Sequence, residues 1–270
     1  GECGDHCSPR KVRPMTTVSI KDHLTYPVRF LDGISDARHI IGMGRTRGLS
    51  DEEIQKSLEL RRLRWAYYAL ALGRHEIHDS EETVFIPRTV QKPDYEFEIA
   101  LLLDQATKAG WTEEEAEDFL QKHGRVTILN DLSCRCLQAE DVQLGLGPAR
   151  SKSILGKVLG PRFVPYAEFA KRNPYIVLRV NGEVRLEAQA CTDSTLWTFP
   201  KISAYLSQQP LILEAGTLIG SGTFGGGSIA ETSGKYPWLV DGNTVDVVEM
   251  EVEGIGVLKN RFTRKSEEDG

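Results

Sequence analysis

The sequence lacks any long run of apolar residues, which excludes a membrane-spanning helix. Such a helix needs about 20 consecutive, mostly apolar residues, and no stretch of these 270 residues approaches that length. The N-terminus also lacks the apolar core of a secretory signal peptide. We therefore expect a cytoplasmic protein without a membrane partner.

Concentrated positive charge is also scarce. Lysine and arginine total 33 against 39 aspartates and glutamates, which gives a formal net charge of −6. A nucleic-acid interface needs a concentrated basic surface, and only the stretch LELRRLRW, residues 58–65, is strongly basic. We interpret its arginines as the solvated flank of a helix and expect no nucleic-acid partner.

Cysteine is sparse and does not follow a disulfide pattern. Five cysteines make an odd number without framework spacing, and we expect free thiols in a reducing compartment. A metal clip from Cys3, His6 and Cys7 is conceivable, but the second ligand pair of a zinc site is missing. Free thiols are the favoured interpretation.

What the sequence does contain is a β-dominated α+β pattern. An Asn181-Gly182 turn predicts one hairpin, and alternating strands joined at Glu253-Gly254 predict another. Ser50 and Glu53 form a capping box at the start of a helical pattern that extends to Gly73. Further elements are strands over 82–87 and 125–133 and helices over 111–124 and 198–208.

The composition divides the chain into three expected parts. Residues 1–16 are polar and are expected to be a disordered lead. Residues 17–88 are expected to form a small N-terminal domain with a helical segment, and residues 89–265 the main domain. No repeat of 20–50 residues interrupts this organisation.

Two carboxylates lie one residue apart in KPDYEFEIALLL, residues 92–103. In a strand, Glu96 and Glu98 point the same way, with Cα atoms about 6.5–7 Å apart. Such neighbours repel each other unless water or a cation separates them.

Asp131, at the end of a later predicted strand, can reach the same point. Three carboxylates suit Mg²⁺, and Mn²⁺ almost equally, better than Zn²⁺. Alternatively, the strand face that carries Glu96 and Glu98 is exposed to water and binds no ion.

The chain resembles fumarylacetoacetate hydrolase-like proteins over about residues 80–263, with a weaker match back to about residue 38. Six segments carry the resemblance by their order and spacing: DYEFEIALLL, NDLSCRCLQ, ARSKSILGKVLGPRFVP, LRVNGEVR, LIGSGTFGGG and VEMEVEGIGVLKNRF. It implies mixed β-sheets rolled around a metal site, a small N-terminal domain and a homodimer. It also implies that residues 89–265 are the catalytic domain.

The resemblance assigns roles to individual residues. It implies that Glu96, Glu98 and Asp131 ligate Mg²⁺ or Mn²⁺ and that Lys152 stands beside the substrate. Further positions match parts of a substrate pocket: Arg135, Gln138, Gly222 and Thr223. The substrate class is a small 2-oxo acid or 1,3-dicarbonyl acid.

One motif departs from the family pattern. Family hydrolases carry a lid of the form G-x-G-x-N-Y-x-x-H-x-x-E, whose His–Glu pair activates water. This chain has GMGRTRGLSDEE, where Glu53 matches the glutamate, Ser50 replaces the histidine, and Thr46 and Arg47 replace Asn-Tyr. A serine hydroxyl cannot act as a general base unless a second base first removes its own proton. His75 or His78 could substitute for the histidine, although a solvated helix end is favoured for that segment.

Three functions remain open on this basis. The first is a metal-dependent enzyme that hydrolyses a C–C bond of an oxo acid through a metal-stabilised enolate. The second is a decarboxylase, tautomerase or dehydratase, which needs no activated water, in a specialised biosynthetic pathway. The third is a non-catalytic binding protein stapled by its metal.

Overall fold

The computed structural model describes residues 18–209 and 211–264. The predicted lead over 1–16, with Cys3, His6 and Cys7, lies outside these residues. The strands are β1 Val28–Gly33, β2 Tyr67–Leu72, β3 Ile77–Asp79, β4 Thr83–Ile86, β5 Pro93–Asp94, β6 Phe97–Leu103, β7 Gly124–Asn130, β8 Ser133–Cys134, β9 Lys157–Pro165, β10 Tyr175–Val180, β11 Glu183–Gln189, β12 Leu218–Gly220, β13 Val245–Val252 and β14 Gly256–Arg264.

Seven α-helices lie within the described residues. They are α1 Ala37–Thr46, α2 Asp51–Leu63, α3 Glu113–His123, α4 Arg135–Gln143, α5 Ala149–Ser153, α6 Tyr166–Ala170 and α7 Phe199–Gln208. Three short 3₁₀ turns accompany them, at Ile20–His23, Arg74–Glu76 and Ile229–Thr232. None of the helices in this part of the chain has the length and apolarity needed to cross a membrane.

The strands form two large mixed sheets. One has seven strands in the order β2-β1-β12-β6-β7-β9-β3, and the other has five in the order β11-β10-β13-β14-β4. Apolar side chains of β6, all of them buried, contribute to the cores on both faces of the first sheet. This curled, β-dominated α+β architecture confirms the predicted fold class. The first sheet contains strands from both sides of residue 88, so the expected domain boundary does not separate two sheets.

Local sequence signals explain most elements. Ser50 and Thr112 each close a capping box with the glutamate three residues on, and this fixes the first turns of α2 and α3. The Asn181-Gly182 hairpin and the β13–β14 hairpin form as predicted, because residues at their turns adopt the positive φ that tight turns require. In the described part, Cys134, Cys136 and Cys191 are free thiols, also as expected.

One expectation for the N-terminal region was wrong, and one helix there was missed. The helical pattern that extends to Gly73 breaks at Leu63, and Tyr67–Leu72 forms strand β2 instead, because its aromatic residues pair along β1. Helix α1 was not predicted; Asp36 caps it by accepting a hydrogen bond from the amide of Arg38 at 2.8 Å. Tertiary pairing therefore overrides local periodicity here.

Strand directions bring one set of chain segments to a single edge of the seven-stranded sheet. Strand β1 runs parallel to β12, so both end at this edge. Strand β6 is antiparallel to β12 and begins there, whereas β7 is antiparallel to β6 and ends there. Strands β2 and β9 also begin there, since each is antiparallel to a strand that ends at the edge. Polar residues at these strand ends therefore meet.

Candidate active site

Four carboxylates meet at this edge of the sheet. They are Asp32 of β1, Glu96 just before β6, Glu98 of β6 and Asp131 just after β7, and one oxygen from each lies within 4.8 Å of the others. All four are buried. The structure thus brings the three predicted ligands together. Asp32 was missed, although its place directly after the strand-like stretch VRFL is a signal of the same kind as that of Asp131.

Neighbouring side chains hold the carboxylates in place. Tyr68 donates its hydroxyl hydrogen toward Asp131 Oδ2 at 2.7 Å and lies 3.2 Å from Asp32 Oδ2. The hydroxyl of Thr223 donates to Glu98 Oε1 at 3.1 Å, and the amide of Gly222 donates to Asp32 Oδ1 at 3.2 Å. The glycine-rich turn after β12 therefore orients the acidic cluster directly.

Three cations surround the cluster. The Lys152 ammonium contacts Glu96 and lies 2.6 Å from Asp131 Oδ2. Lys157, which the sequence reasoning missed, pairs with Asp131. The Arg135 guanidinium donates to Glu96 Oε1 at 2.6 Å and to Asp94 Oδ2 at 2.8 Å. Lys157 is the first residue of β9, so the strand directions place it here as well.

Charge in the site is unbalanced. Five buried carboxylates, counting Asp94, face three buried cations, which leaves two negative charges uncompensated. Burial and the charges of Asp32, Asp131 and Glu96 raise the pKa of Glu98 well above its usual 4.5. Burial and Asp131 raise the pKa of Asp32 to about 7. The deficit equals the charge of one divalent cation.

The donor set fits a hard divalent metal ion. Glu98 Oε2 is fully buried and has no hydrogen-bond partner among the described residues, which is costly unless another group satisfies it. All four candidate ligands offer carboxylate oxygens, the donors that Mg²⁺ and Mn²⁺ prefer. Asp32, Glu96, Glu98 and Asp131 are therefore the residues that would hold such an ion.

Gly220 lies tightly against this cluster and offers a test of it. A Cβ built there would press on the Asp32 carboxylate and approach Glu98 Oε2 to 3.0 Å. We expect Gly220→Ala to fold but to bind Mn²⁺ about 10- to 100-fold more weakly, because two oxygens are displaced. Isothermal titration calorimetry measures this. Gly147→Ala, where nothing lies within 4 Å of the added methyl, is the control. An unchanged affinity of Gly220→Ala would contradict the assignment.

A histidine that lines the same cavity as the carboxylates is paired with a buried glutamate. His39 Nδ1, on α1, is 3.0 Å from Glu231 Oε2 in the Ile229–Thr232 turn, and both side chains are almost completely buried. Burial lowers the pKa of His39, but the charge and hydrogen bond of Glu231 and the charge of Glu96 raise it more, to above the usual 6.5. Because Nδ1 faces Glu231, Nε2 is the nitrogen that can exchange a proton with a ligand.

The glycine-rich turn fixes Glu231. The amide of Gly226 donates to Glu231 Oε1 at 2.9 Å, and the hydroxyl of Ser228 donates to Oε2 at 2.8 Å. The turn is joined to α1 by Asp36, whose carboxylate accepts a hydrogen bond from the amide of Gly225 at 3.0 Å. Both members of the pair are thus held by rigid elements. No spacing in the sequence indicates this pair, since Glu231 lies 192 positions after His39.

One cavity of about 290 Å³ connects these groups. Its polar lining includes Asp32, His39, Glu96, Glu98, Arg135, Gln138, Lys152 and Thr223. Gln138 accepts a hydrogen bond from Arg135 Nη1 at 2.9 Å, and this keeps both at the cavity wall. Of the residues predicted to bind substrate, Gly222 is turned instead toward Asp32, and its amide is already engaged there.

The structure does not bring the three suspected lid residues, all within the described part, to the cavity lining. Glu53 is exposed because it closes the capping box of α2 with Ser50. His75 lies in the Arg74–Glu76 turn. His78 faces Glu82, with 3.4 Å between Nδ1 and Oε1, and the carbonyl of Leu155. His39 lines the cavity instead, which corrects the expected position of Glu53, His75 and His78 at the site.

Comparison with known proteins agrees with this architecture. A family model described as "Fumarylacetoacetate (FAA) hydrolase C-terminal" matches residues 63–263. The chain belongs to the fumarylacetoacetate hydrolase family. It is also 30% identical, over 182 residues, to an uncharacterised protein of Methanocaldococcus jannaschii; the match covers 67% of this chain and 66% of that protein. The match thus spans about two thirds of the relative's length.

Solved structures of the family share the fold. A fumarylacetoacetate hydrolase from psychrophilic Exiguobacterium antarcticum is 25% identical, with a TM-score of 0.65 over 90% of this chain and 76% of that one. A fumarylpyruvate hydrolase from Pseudomonas aeruginosa, in complex with Mn²⁺ and pyruvate, is 20% identical, with a TM-score of 0.65 over 89% of this chain and 92% of that one. The buried acidic cluster of this family member occurs in the same fold as that manganese complex.

Proposed function

We propose that this protein is a divalent-metal-dependent hydrolase that cleaves a C–C bond of a 1,3-dicarbonyl acid or related 2-oxo acid. The observation that carries the proposal is that His39, paired with Glu231, lines the same cavity as Asp32, Glu96 and Glu98 of the acidic cluster. A bound Mg²⁺ or Mn²⁺ supplies Lewis-acid stabilisation of negative charge on substrate oxygens. Hydrolysis also needs a base for water, and the pair provides one.

His39 is placed to act as that base. Glu231 Oε2 lies 3.0 Å from Nδ1 and pairs with that side of the ring, which leaves the Nε2 lone pair to take a proton from water in the cavity. The carboxylate of Glu231 then stabilises the imidazolium that forms, and the same proton is available for the carbon leaving group. This is the role that the lid histidine and glutamate have in the family pattern, performed here by residues from α1 and the Ile229–Thr232 turn.

The remaining polar residues bind and orient the substrate. Lys152 stays charged in the site, since Asp131 and Glu96 outweigh burial and raise its pKa. It can donate to a substrate oxygen that gains negative charge. Arg135 and Gln138 supply further donors at the wall, and Thr223 links the turn to Glu98. We further propose, as the family resemblance implies, that the protein acts as a homodimer in the cytoplasm.

The same geometry supports one alternative. A histidine held by a glutamate can also move a proton between carbon and oxygen of the substrate without using water, which would give an isomerase or decarboxylase. The observation that favours it is the almost complete burial of His39 and Glu231, which limits how much water reaches the pair.

Product analysis separates these functions. We expect the Mg²⁺- or Mn²⁺-loaded protein to cleave acetylpyruvate with incorporation of ¹⁸O from labelled water into one product, and to lose this activity with a chelator. Rearranged substrate or release of CO₂ from oxaloacetate without ¹⁸O uptake would favour the alternative. Metal binding without turnover of any 2-oxo or 1,3-dicarbonyl acid would leave a non-catalytic binding protein.

A further inference from the structure

Two cysteine thiols lie in contact at the start of α4. Cys134 ends β8 and is buried, whereas Cys136 lies in the first turn of the helix and is partly exposed. Their Sγ atoms are 3.2 Å apart, and both face the carbonyl oxygen of Gln91, at 3.5 and 3.1 Å. A disulfide forms from such an arrangement, in which two sulfurs touch and one is within reach of solvent. Neither thiol takes part in the proposed reaction.

The backbone already holds the two cysteines at a distance that a disulfide spans. The separation of Cα atoms two residues apart depends on the residue between them, which here is Arg135 at the first position of α4. Helical geometry gives about 5.4 Å for this separation, within the roughly 4.4–6.8 Å that disulfides require. The sulfurs must still close from 3.2 Å to about 2.05 Å, an approach of about 1.1 Å. The first turn of α4 must therefore adjust.

Arg135, the residue between the two cysteines, belongs to the active site. Its guanidinium donates to Glu96 Oε1 at 2.6 Å and to Asp94 Oδ2 at 2.8 Å. Asp94 in turn accepts hydrogen bonds from two amides of the Ile229–Thr232 turn, at 2.8 and 3.0 Å, and this turn carries Glu231. A shift of the backbone at Arg135 therefore reaches both the acidic cluster and the turn that holds the partner of the catalytic histidine.

We propose that Cys134 and Cys136 form a redox modification site: a peroxide converts the two thiols to a disulfide, and this disulfide lowers the activity of the enzyme by displacing Arg135. The modification is reversible, because a small dithiol reduces an accessible disulfide by exchange. The regulatory part of this inference rests on the proposed function, since it concerns the same site.

The oxidation takes two steps. As a thiolate, Cys136 attacks one oxygen of hydrogen peroxide; the O–O bond breaks, the other oxygen leaves with the thiol proton as water, and Cys136 becomes a sulfenic acid. The sulfur of Cys134 then attacks that of Cys136, and the sulfenic hydroxyl leaves with the Cys134 proton as a second water. Burial, together with the neighbouring Cys136 thiol, raises the pKa of Cys134 to about 11. Cys134 is therefore the resolving thiol and Cys136 the attacking one.

Peptide mapping tests the disulfide directly, because Arg135 separates the two cysteines. Tryptic cleavage places one cysteine in peptide 126–135 and the other in peptide 136–150. After treatment of the whole Mg²⁺-loaded protein with hydrogen peroxide and alkylation of free thiols, non-reducing mass spectrometry should find these two peptides joined. The kcat/KM for acetylpyruvate should fall about 10- to 100-fold, since a misplacement of about 1 Å can cause such a loss, and dithiothreitol should restore it.

Cysteine variants provide the controls. Cys136→Ser should keep the activity of the reduced wild type and lose its response to peroxide. Cys134→Ala, a second variant that removes the other thiol, should behave in the same way. Cys191→Ser removes an exposed cysteine elsewhere in the fold and should remain sensitive to peroxide.

Hydrogen exchange adds a readout that needs no turnover. In the oxidised protein the amides of Ile229 and Ala230 should exchange faster than in the reduced protein, because Asp94 moves with Arg135. Separate peptides after peroxide treatment would overturn the modification site, and joined peptides with unchanged exchange and kcat/KM would overturn its effect on the active site. If the reduced protein turns over no 2-oxo or 1,3-dicarbonyl acid, the proposed function fails, and the peptide and exchange measurements alone decide this inference.

Discussion

Glu98→Gln should abolish tight divalent-metal binding and leave a folded protein. Glu98 provides a buried oxygen that has no hydrogen-bond partner in the described part of the chain, and it is one of four converging carboxylates. Loss of a residue that only supports a metal ligand can weaken metal binding roughly 100-fold. Loss of a direct ligand should therefore weaken it by at least as much. Calorimetry with Mg²⁺ and Mn²⁺, with elemental analysis of the purified variant, measures the loss, and turnover of acetylpyruvate should disappear with it.

The same substitution should not destabilise the metal-free protein. In that state the repulsion from Asp32 and Asp131 and the burial of Glu98 disfavour its charged form, as its raised pKa shows. A neutral amide of similar shape removes this repulsion, and we expect a melting temperature at least as high as that of the wild type without metal. Glu251→Gln, which changes a partly exposed pair with Arg179, is the matched control and should retain metal. Normal metal content in Glu98→Gln would refute the assignment of the ligands.

His39→Asn should separate chemistry from metal binding. Asparagine keeps a polar group beside Glu231 but cannot accept the proton of water, so we expect kcat for hydrolysis to fall about 10²- to 10⁴-fold. Mn²⁺ affinity should change little, since His39 is not among the converging ligands. Steady-state kinetics together with calorimetry distinguishes this result from general damage to the site.

Two other histidines serve as controls for His39. His75→Ala and His78→Ala should retain activity, because neither side chain lines the cavity. A base must be unprotonated, so wild-type kcat/KM should fall as the pH falls through the pKa of His39. Burial and the charge of Arg135 lower that pKa, but Glu231 and Glu96 raise it more, to above 6.5. Loss of activity in His78→Ala, with His39→Asn unaffected, would exclude the mechanism proposed here.

The parts of the fold that could be predicted are those that local physics determines. Capping residues set α2 and α3, and the Asn181-Gly182 turn sets one hairpin, because each signal acts within a few residues. Tyr67–Leu72 was assigned wrongly because its pairing partner, β1, is remote in sequence and decides its conformation. Helix α1 contains Gly42 and Gly44, which disfavour a helix, and its capping aspartate is a weak signal without tertiary context.

The residues of the site also divide into those that a local pattern predicts and those that only the tertiary structure brings together. Glu96 and Glu98 share a short segment, so their spacing alone indicated a common face. Lys157 and the His39–Glu231 pair reach the site only through the order of the strands and the packing of α1 against the Ile229–Thr232 turn, which no local pattern contains. The family lid motif even pointed to the wrong segment, because Glu53 matched a position whose structural role here is to cap a helix.

The pairing of Gly33 with Tyr67 means that the chain leaves the sheet after β1 and returns to it at the same level, with residues 34–66 forming an excursion between two adjacent strands. That excursion carries His39, Arg47 and Arg61 of the cavity lining, whereas Asp32 and Tyr68 stay on the strands that bracket it. Its length and composition can therefore change during evolution without moving the acidic cluster. Natural selection could replace the reaction, or the compound it acts on, by exchanging this one insert, which makes residues 34–66 a sensible target for grafting between relatives.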